Sequence, residues 1–155
     1  MTDVQILATG PEFIGEGVRG TGPVIEEIIG DAQNEIQILA YLFTTSGRVL
    51  SLLESSLRKG IRVTIVINEF EKQNDDIKEK ITALINEFSH LKVVNFHKDG
   101  GEQLHAKVVV VDRKKAIVGS ANFSWGGMTR NYEIGILLEG EGAWKLGKLV
   151  DDLTS

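Results

Sequence analysis

Apolar and polar positions fall into blocks along this chain, and the period changes from block to block. Val24-Ile25 and Ile28-Ile29 repeat at helical spacing behind Pro23, a residue suited to a first helical turn, so a helix is predicted to end near Asp31. Ile36 to Phe43 is apolar enough for a buried strand. Thr45 or Ser46 can cap the next helix, whose core face is Val49, Leu50, Leu52, Leu53 and Leu57 and whose stop is Gly60. A β-branched strand follows from Ile61 to Ile67. Asp75 to Phe88 reads as a helix, charged outside and apolar at Ile77, Ile81, Leu84, Ile85 and Phe88. Leu91 to Phe96 is a strand, Gly100-Gly101 turns the chain, and Ala143 to Leu153 closes as a helix. Before all of these, Asp3 to Ala8 reads as a short edge strand. Gly10 to Gly22 carries five glycines and reads as a loop, either with Phe13 and Ile14 packed beneath it or as a flexible lip.

Strand, helix, strand, helix, strand favours a parallel arrangement. The expected fold is α/β: a mixed, largely parallel β-sheet flanked by helices on both faces, formed by one domain over residues 1–155. Ligand sites in such sheets gather at the carboxyl ends of the parallel strands, where Tyr41, Phe43, Thr44, Asn68 and Glu69 fall. Tyr41 and Phe43 read as core before substrate contacts.

Composition narrows the classes. No apolar run approaches the ~20 residues of a membrane span, and the first residues lack the basic flank and apolar core of a secretory signal, so a cytoplasmic location is expected. Without cysteine there are no disulfides or thiolate metal sites. The net charge of −5 argues against a generally basic nucleic-acid binder. Yet His105 to Tyr132 holds five Lys or Arg against one acid, +4, while the rest holds twelve against twenty-one, −9. Local positive focusing rests on Lys107 and Arg130.

The most informative stretch is HAKVVVVDRKKAIVGSAN, from His105 to Asn122. Six specified residue types at fixed offsets, at ~5% usage each, would match by chance at roughly 10⁻⁸ per starting position. His105 and Lys107 head a β-branched run, Val108 to Val111, and fall on one face of a strand. Asp112 to Lys115 is a polar turn, and Ala116 to Val118 the return strand of a hairpin. Folding back brings Ser120 and Asn122 beside His105 and Lys107. Lys, Asn and Ser donors can hold anionic oxygens while the imidazole attacks or shuttles a proton, a set that fits a phosphoryl group. Asp112 is ~17 Å from Lys107 along an extended strand, at the closed end. It reads as a turn former bonded to its local backbone, and Arg113, Lys114 and Lys115 are removed from the site with it. His90 and His97 lack partners at metal-ligand spacing and read as ordinary.

This stretch resembles the HKD motif of the phospholipase D superfamily of phosphodiesterases, and the resemblance continues into Phe123-Ser124-Trp125 and Asn131-Tyr132-Glu133-Ile134-Gly135. It spans the chain from about Gly22 onward. In form it is similar to the family's small single-motif bacterial endonucleases. The resemblance implies His105 as nucleophile, with Glu133 orienting its ring, and Lys107, Asn122 and Ser120 holding the phosphate. Trp125 and Arg130 are further substrate contacts, although Trp125 reads as readily as core, and Gly119 and Asp112 are structural. Family mechanism uses two HKD units and this chain shows one, so a homodimer sharing one site is expected, with no cofactor and no metal. Nucleic acid is the favoured substrate. One rival is a phospholipid hydrolase or transferase, for which only Trp125, Phe123 and Met128 offer apolar surface near the motif. The other is a non-catalytic dimeric nucleic-acid-binding module, which intact His105, Lys107, Asn122 and Glu133 argue against.

Overall fold

In the computed structural model, which describes residues 1–15 and 17–155, the β-branched runs become strands and the amphipathic stretches helices. The order is β1 (Thr2–Thr9), β2 (Arg19–Gly20), α1 (Thr21–Gly30), β3 (Glu35–Ala40), α2 (Val49–Arg58), β4 (Arg62–Asn68), α3 (Asp75–Glu87), β5 (Leu91–Phe96), β6 (Lys107–Val111), β7 (Lys115–Gly119), β8 (Glu133–Gly140) and α4 (Glu141–Thr154). The strands form one sheet in the order β2-β1-β8-β7-β6-β3-β4-β5. β3, β4 and β5 are parallel neighbours; β6 and β8 run against the other six strands, which makes the sheet mixed but largely of one direction.

Both faces are covered. Ile25 and Ile28 of α1, Leu53 and Leu57 of α2, and Ile77 and Ile81 of α3 pack on Ile36, Ile65 and Val109. On the opposite face, Ala143 and Val150 of α4 pack on Leu39, Val66, Val108 and Val110. Strand β6 therefore feeds both cores by alternation, and each fully buried Val, Leu or Ile contributes about 1.5–3 kcal/mol.

Several local expectations change. β1 is not the edge, because β2 pairs parallel to it at Leu7 and Ala8. The stretch from Arg19 onward is β2 and α1 rather than loop. Phe13 and Ile14 are exposed rather than packed beneath the loop, Phe13 standing edge-on to the Tyr132 ring; Glu16, in the same loop, lies outside the described residues. Neither Thr45 nor Ser46 caps α2. Thr45–Gly47 forms a 3-10 turn, and Arg48, at φ 66°, is the N-cap with no side-chain cap bond. The turn is pinned by packing: a Cβ on Gly47 would sit 2.5 Å from the Phe123 carbonyl oxygen. Ile85 is 43% exposed, since Ile77, Ile81, Leu84 and Phe88 already complete the buried stripe of α3.

Asp112 has the role least visible in sequence. With Arg113 it takes positive φ in the β6–β7 turn, closed by Lys114 N–H to the Val111 carbonyl. Its carboxylate does not serve the local backbone. It accepts hydrogen bonds from the N–H groups of Gln33, Asn34 and Glu35 at 2.8, 2.8 and 2.9 Å, clamping the start of β3 to the end of β6. The neighbouring Arg113 pairs with Glu35 and Asp151, so this end of the hairpin is a structural clasp.

Burial pushes the Asp112 carboxyl up, but the three N–H donors and Lys114 outweigh it and leave it below the usual aspartate range. The stabilisation is therefore present above that range and lost as pH falls through the lowered value. Asp112→Ala should cost about 1–3 kcal/mol by orphaning the N–H donors. The melting-temperature gap to wild type should hold near neutral pH and close in strong acid. A gap that persists in acid would mean the carboxylate charge is not what holds the clasp.

Candidate active site

Because β6 is antiparallel to β3, its first residues lie at the carboxyl ends of β3 and β4. Lys107 pairs with Gly119 and Gly119 with Gly135, so Ser120, after β7, and Glu133, opening β8, reach the same sheet end. Asn122 is brought there by a second tie: Phe123 N–H bonds to the Leu42 carbonyl, and Thr44 N–H to the Phe123 carbonyl at 2.9 Å. His105, Lys107, Ser120, Asn122 and Glu133 thus share one edge, with Tyr41 and Asn68 beside them. Phe43 is wholly core, stacked on Phe123.

His105 is exposed and precedes β6, outside the ladder. Lys107 is 9% exposed, and its Nζ lies 2.9 Å from His105 Nδ1. Burial pushes the Lys107 ammonium below the usual lysine range, and the charge of Glu133 opposes that shift. Lys107 Nζ also lies 3.5 Å from His105 Nε2, so the lysine head sits against the ring itself. Lys107 pairs across the ladder with Gly119, and Gly119 lies so close to β8 that a Cβ on it would come within 2.8 Å of Gly135 Cα.

Glu133 does not meet the imidazole as expected. Its Oε1 accepts the Ser120 hydroxyl at 2.8 Å, and Ile134 N–H donates to Ser120 Oγ. Ser120 is thereby bound to the opening of β8, and its proton faces a carboxylate rather than open space. Asn122 Oδ1 is buried without a hydrogen-bond partner among the described residues.

The flanking candidates divide. Trp125 is 53% exposed, which overturns the core reading. It borders a groove of 210 Å³ lined also by Pro23, Val49, Leu52 and Met128. Phe123 and Met128 are buried, so neither offers the apolar approach surface considered for a lipid. Arg130 ends the π-helical turn Gly126–Arg130 and is exposed. His90 bonds to the Leu57 carbonyl at the end of α2, and His97 Nδ1 lies 3.3 Å from Glu69 Oε1. Sequence reading missed Gln73, a buried amide that joins the ends of β3 and β4. No spacing marks it; a polar side chain in a loop gives no local sign of burial.

Comparison with known proteins places this geometry in context. A family model described as cardiolipin synthase, PLD-like domain, matches residues 25–153. The DISARM protein DrmC of Bacillus paralicheniformis is 36% identical over 144 residues, covering 90% of this chain and 58% of that protein. Cardiolipin synthase 1 of Bacillus anthracis is 31% identical over 145 residues, covering 89% and 26%. The chain therefore spans between about a quarter and three-fifths of these curated relatives. Among solved structures, NucT from Helicobacter pylori superposes with a TM-score of 0.78 at 19% identity, over 99% of this chain and 96% of that one. Nuc from Salmonella typhimurium, a phospholipase D family member, gives 0.79 at 22% identity, over 99% and 94%. These two likenesses establish the fold.

A site built from an ammonium, an imidazole and an amide should take an oxyanion. Inorganic phosphate or tungstate, titrated by calorimetry, should bind wild type and bind Lys107→Met ~10- to 100-fold more weakly, the value of one charge-assisted hydrogen bond. Equal affinity in the two proteins would remove Lys107 from the anion site.

Proposed function

The chain belongs to the phospholipase D superfamily, and we propose that it is a metal-independent endonuclease whose site is completed by a second copy of the same chain. One observation carries this reading: His105, Lys107, Asn122, Ser120 and Glu133 converge on one sheet end. In the two-histidine mechanism that the family resemblance implies, they would supply one half of the site.

In the proposed reaction, Nε2 of one His105 attacks phosphorus. The P–N bond forms as the P–O bond to the leaving group breaks, and His105 of the other subunit protonates the departing oxygen. Water then attacks the phosphohistidine, giving its proton to that second histidine, and the P–N bond breaks. Attack needs the Nε2 lone pair. Lys107 must therefore release Nδ1 and turn to the non-bridging oxygens, where Asn122 joins it and negative charge builds up. In this reading Glu133 orients the ring by accepting Nδ1–H, giving up the Ser120 hydroxyl it holds at rest.

Dimer formation has a surface to use. Val4, Ile6 and Ile134 are each more than half exposed on the face of β1 and β8 that α1 does not cover, one residue from Glu133. Support for nucleic acid comes from the near end-to-end match to NucT and Nuc, the small single-motif form. It comes also from exposed Trp125, which can stack on a base while Arg130 meets the backbone. The lipid reading keeps one specific support, the identity to cardiolipin synthase 1.

The pure protein in excess chelator should cleave DNA or RNA, and His105→Ala should abolish turnover. Activity restored only by a divalent ion would end the metal-independent reading, and turnover of phospholipid alone would give the lipid one. Excess His105→Ala subunits, mixed under exchange conditions, should lower activity per wild-type subunit. Full activity of a monomer at high dilution would overturn the shared site.

A further inference from the structure

His105 is the group on which the proposed chemistry turns, yet its own strand does not hold it. Residues 101–106 carry no regular structure, and β6 begins only at Lys107. Two contacts from other strands supply the missing restraint. The Leu104 N–H, one residue before the histidine, donates to Asn68 Oδ1 at 2.8 Å. Asn68 is the last residue of β4 and 4% exposed, so this bond is shielded from water. On the other side, the Tyr41 ring lies against the imidazole, with centroids 4.6 Å apart and planes at 49°. The same ring has Lys107 Nζ 5.5 Å from its centroid, so the Lys107–His105 pair rests on one aromatic surface.

These two residues are themselves joined. Gln73 Nε2 donates to the Tyr41 and Asn68 carbonyls, each at 2.9 Å, and Gln73 Oε1 accepts Phe43 N–H. The ends of β3 and β4 are thus fixed to each other by a buried amide before either touches the histidine segment.

We infer that Asn68 and Tyr41 are positioning residues for His105, Asn68 fixing the backbone before it and Tyr41 the plane of its ring. The inference rests on the phosphodiesterase reading for its kinetic consequence but not for its structural one. An imidazole on an irregular segment has a free backbone and two free side-chain torsions. In-line attack tolerates little error, and a misplacement of ~1 Å costs on the order of 100-fold. A partner just past β3 and another at the end of β4 remove that freedom from outside the segment.

The test uses the full chain and bis(p-nitrophenyl) phosphate, with each variant first shown to be folded by its thermal transition. Asn68→Ala and Tyr41→Leu should each lower kcat ~10- to 100-fold with little change in KM, as expected for lost orientation. Asn68→Asp, which retains the acceptor oxygen, and Tyr41→Phe, which retains the ring, should recover most of the loss. Two readouts need no turnover. Leu104 amide exchange should quicken in Asn68→Ala while Val109 stays protected. The His105 ring-proton NMR signals should lose their aromatic ring-current shift in Tyr41→Leu and keep it in Tyr41→Phe. Unchanged kcat in both folded alanine and leucine variants, or unchanged exchange and ring shifts, would overturn the positioning roles. Wild type without turnover, but with exchange and ring shifts moving as stated, would instead sink the phosphodiesterase reading and leave the positioning intact.

Discussion

The antiparallel seam between β3 and β6 is the constraint from which the rest follows. Ile36 to Leu39 pair with Val111 to Val108, and this one reversal joins a parallel half, β3-β4-β5, to an antiparallel half, β6-β7-β8-β1. A strand that runs backwards begins where its neighbours end. The histidine segment therefore arrives at the carboxyl ends of β3 and β4, where open α/β sheets place their ligands. The seam is buried on both faces, and it is fastened at both ends by polar groups: Asp112 on the backbone of Gln33 to Glu35, Asn68 on the backbone of Leu104. The aspartate thus fixes register at one end of the seam, while His105 and Lys107 stand at the other.

Charge is organised around the same seam. The chain is acidic overall, but its acids near the site are committed: Glu133 to the Ser120 hydroxyl, Glu69 to Lys72 and His97. Lys107 is left with the imidazole as its hydrogen-bond partner rather than a carboxylate. Burial strips water from this ammonium and so pushes its pKa below the usual lysine range, with the Glu133 charge only partly opposing the shift.

Much of this was legible in sequence because it is local. Period-2 β-branched runs, helical apolar spacing and turn residues determined nearly every element and its direction; the fixed offsets of His105, Lys107, Ser120 and Asn122 determined which chemistry meets at one end of a hairpin. Helix and strand choice depends on neighbours within a few residues, and so does the face a side chain occupies.

Side-chain partnership does not. Asp112 finds its donors 77 to 79 residues away, Leu104 its acceptor 36 residues away, and Gln73 its two carbonyls on different strands. Glu133 sits at the expected sheet end yet bonds Ser120, because the β7–β8 register puts that hydroxyl nearer than the imidazole. Trp125 stands exposed on the groove rim while Phe123 and Met128, two and three residues away, are buried. The sequence by itself determined the elements and the polar groups that gather at one sheet end. Only tertiary structure decided which polar group answers which, since that depends on register between strands that local spacing leaves free.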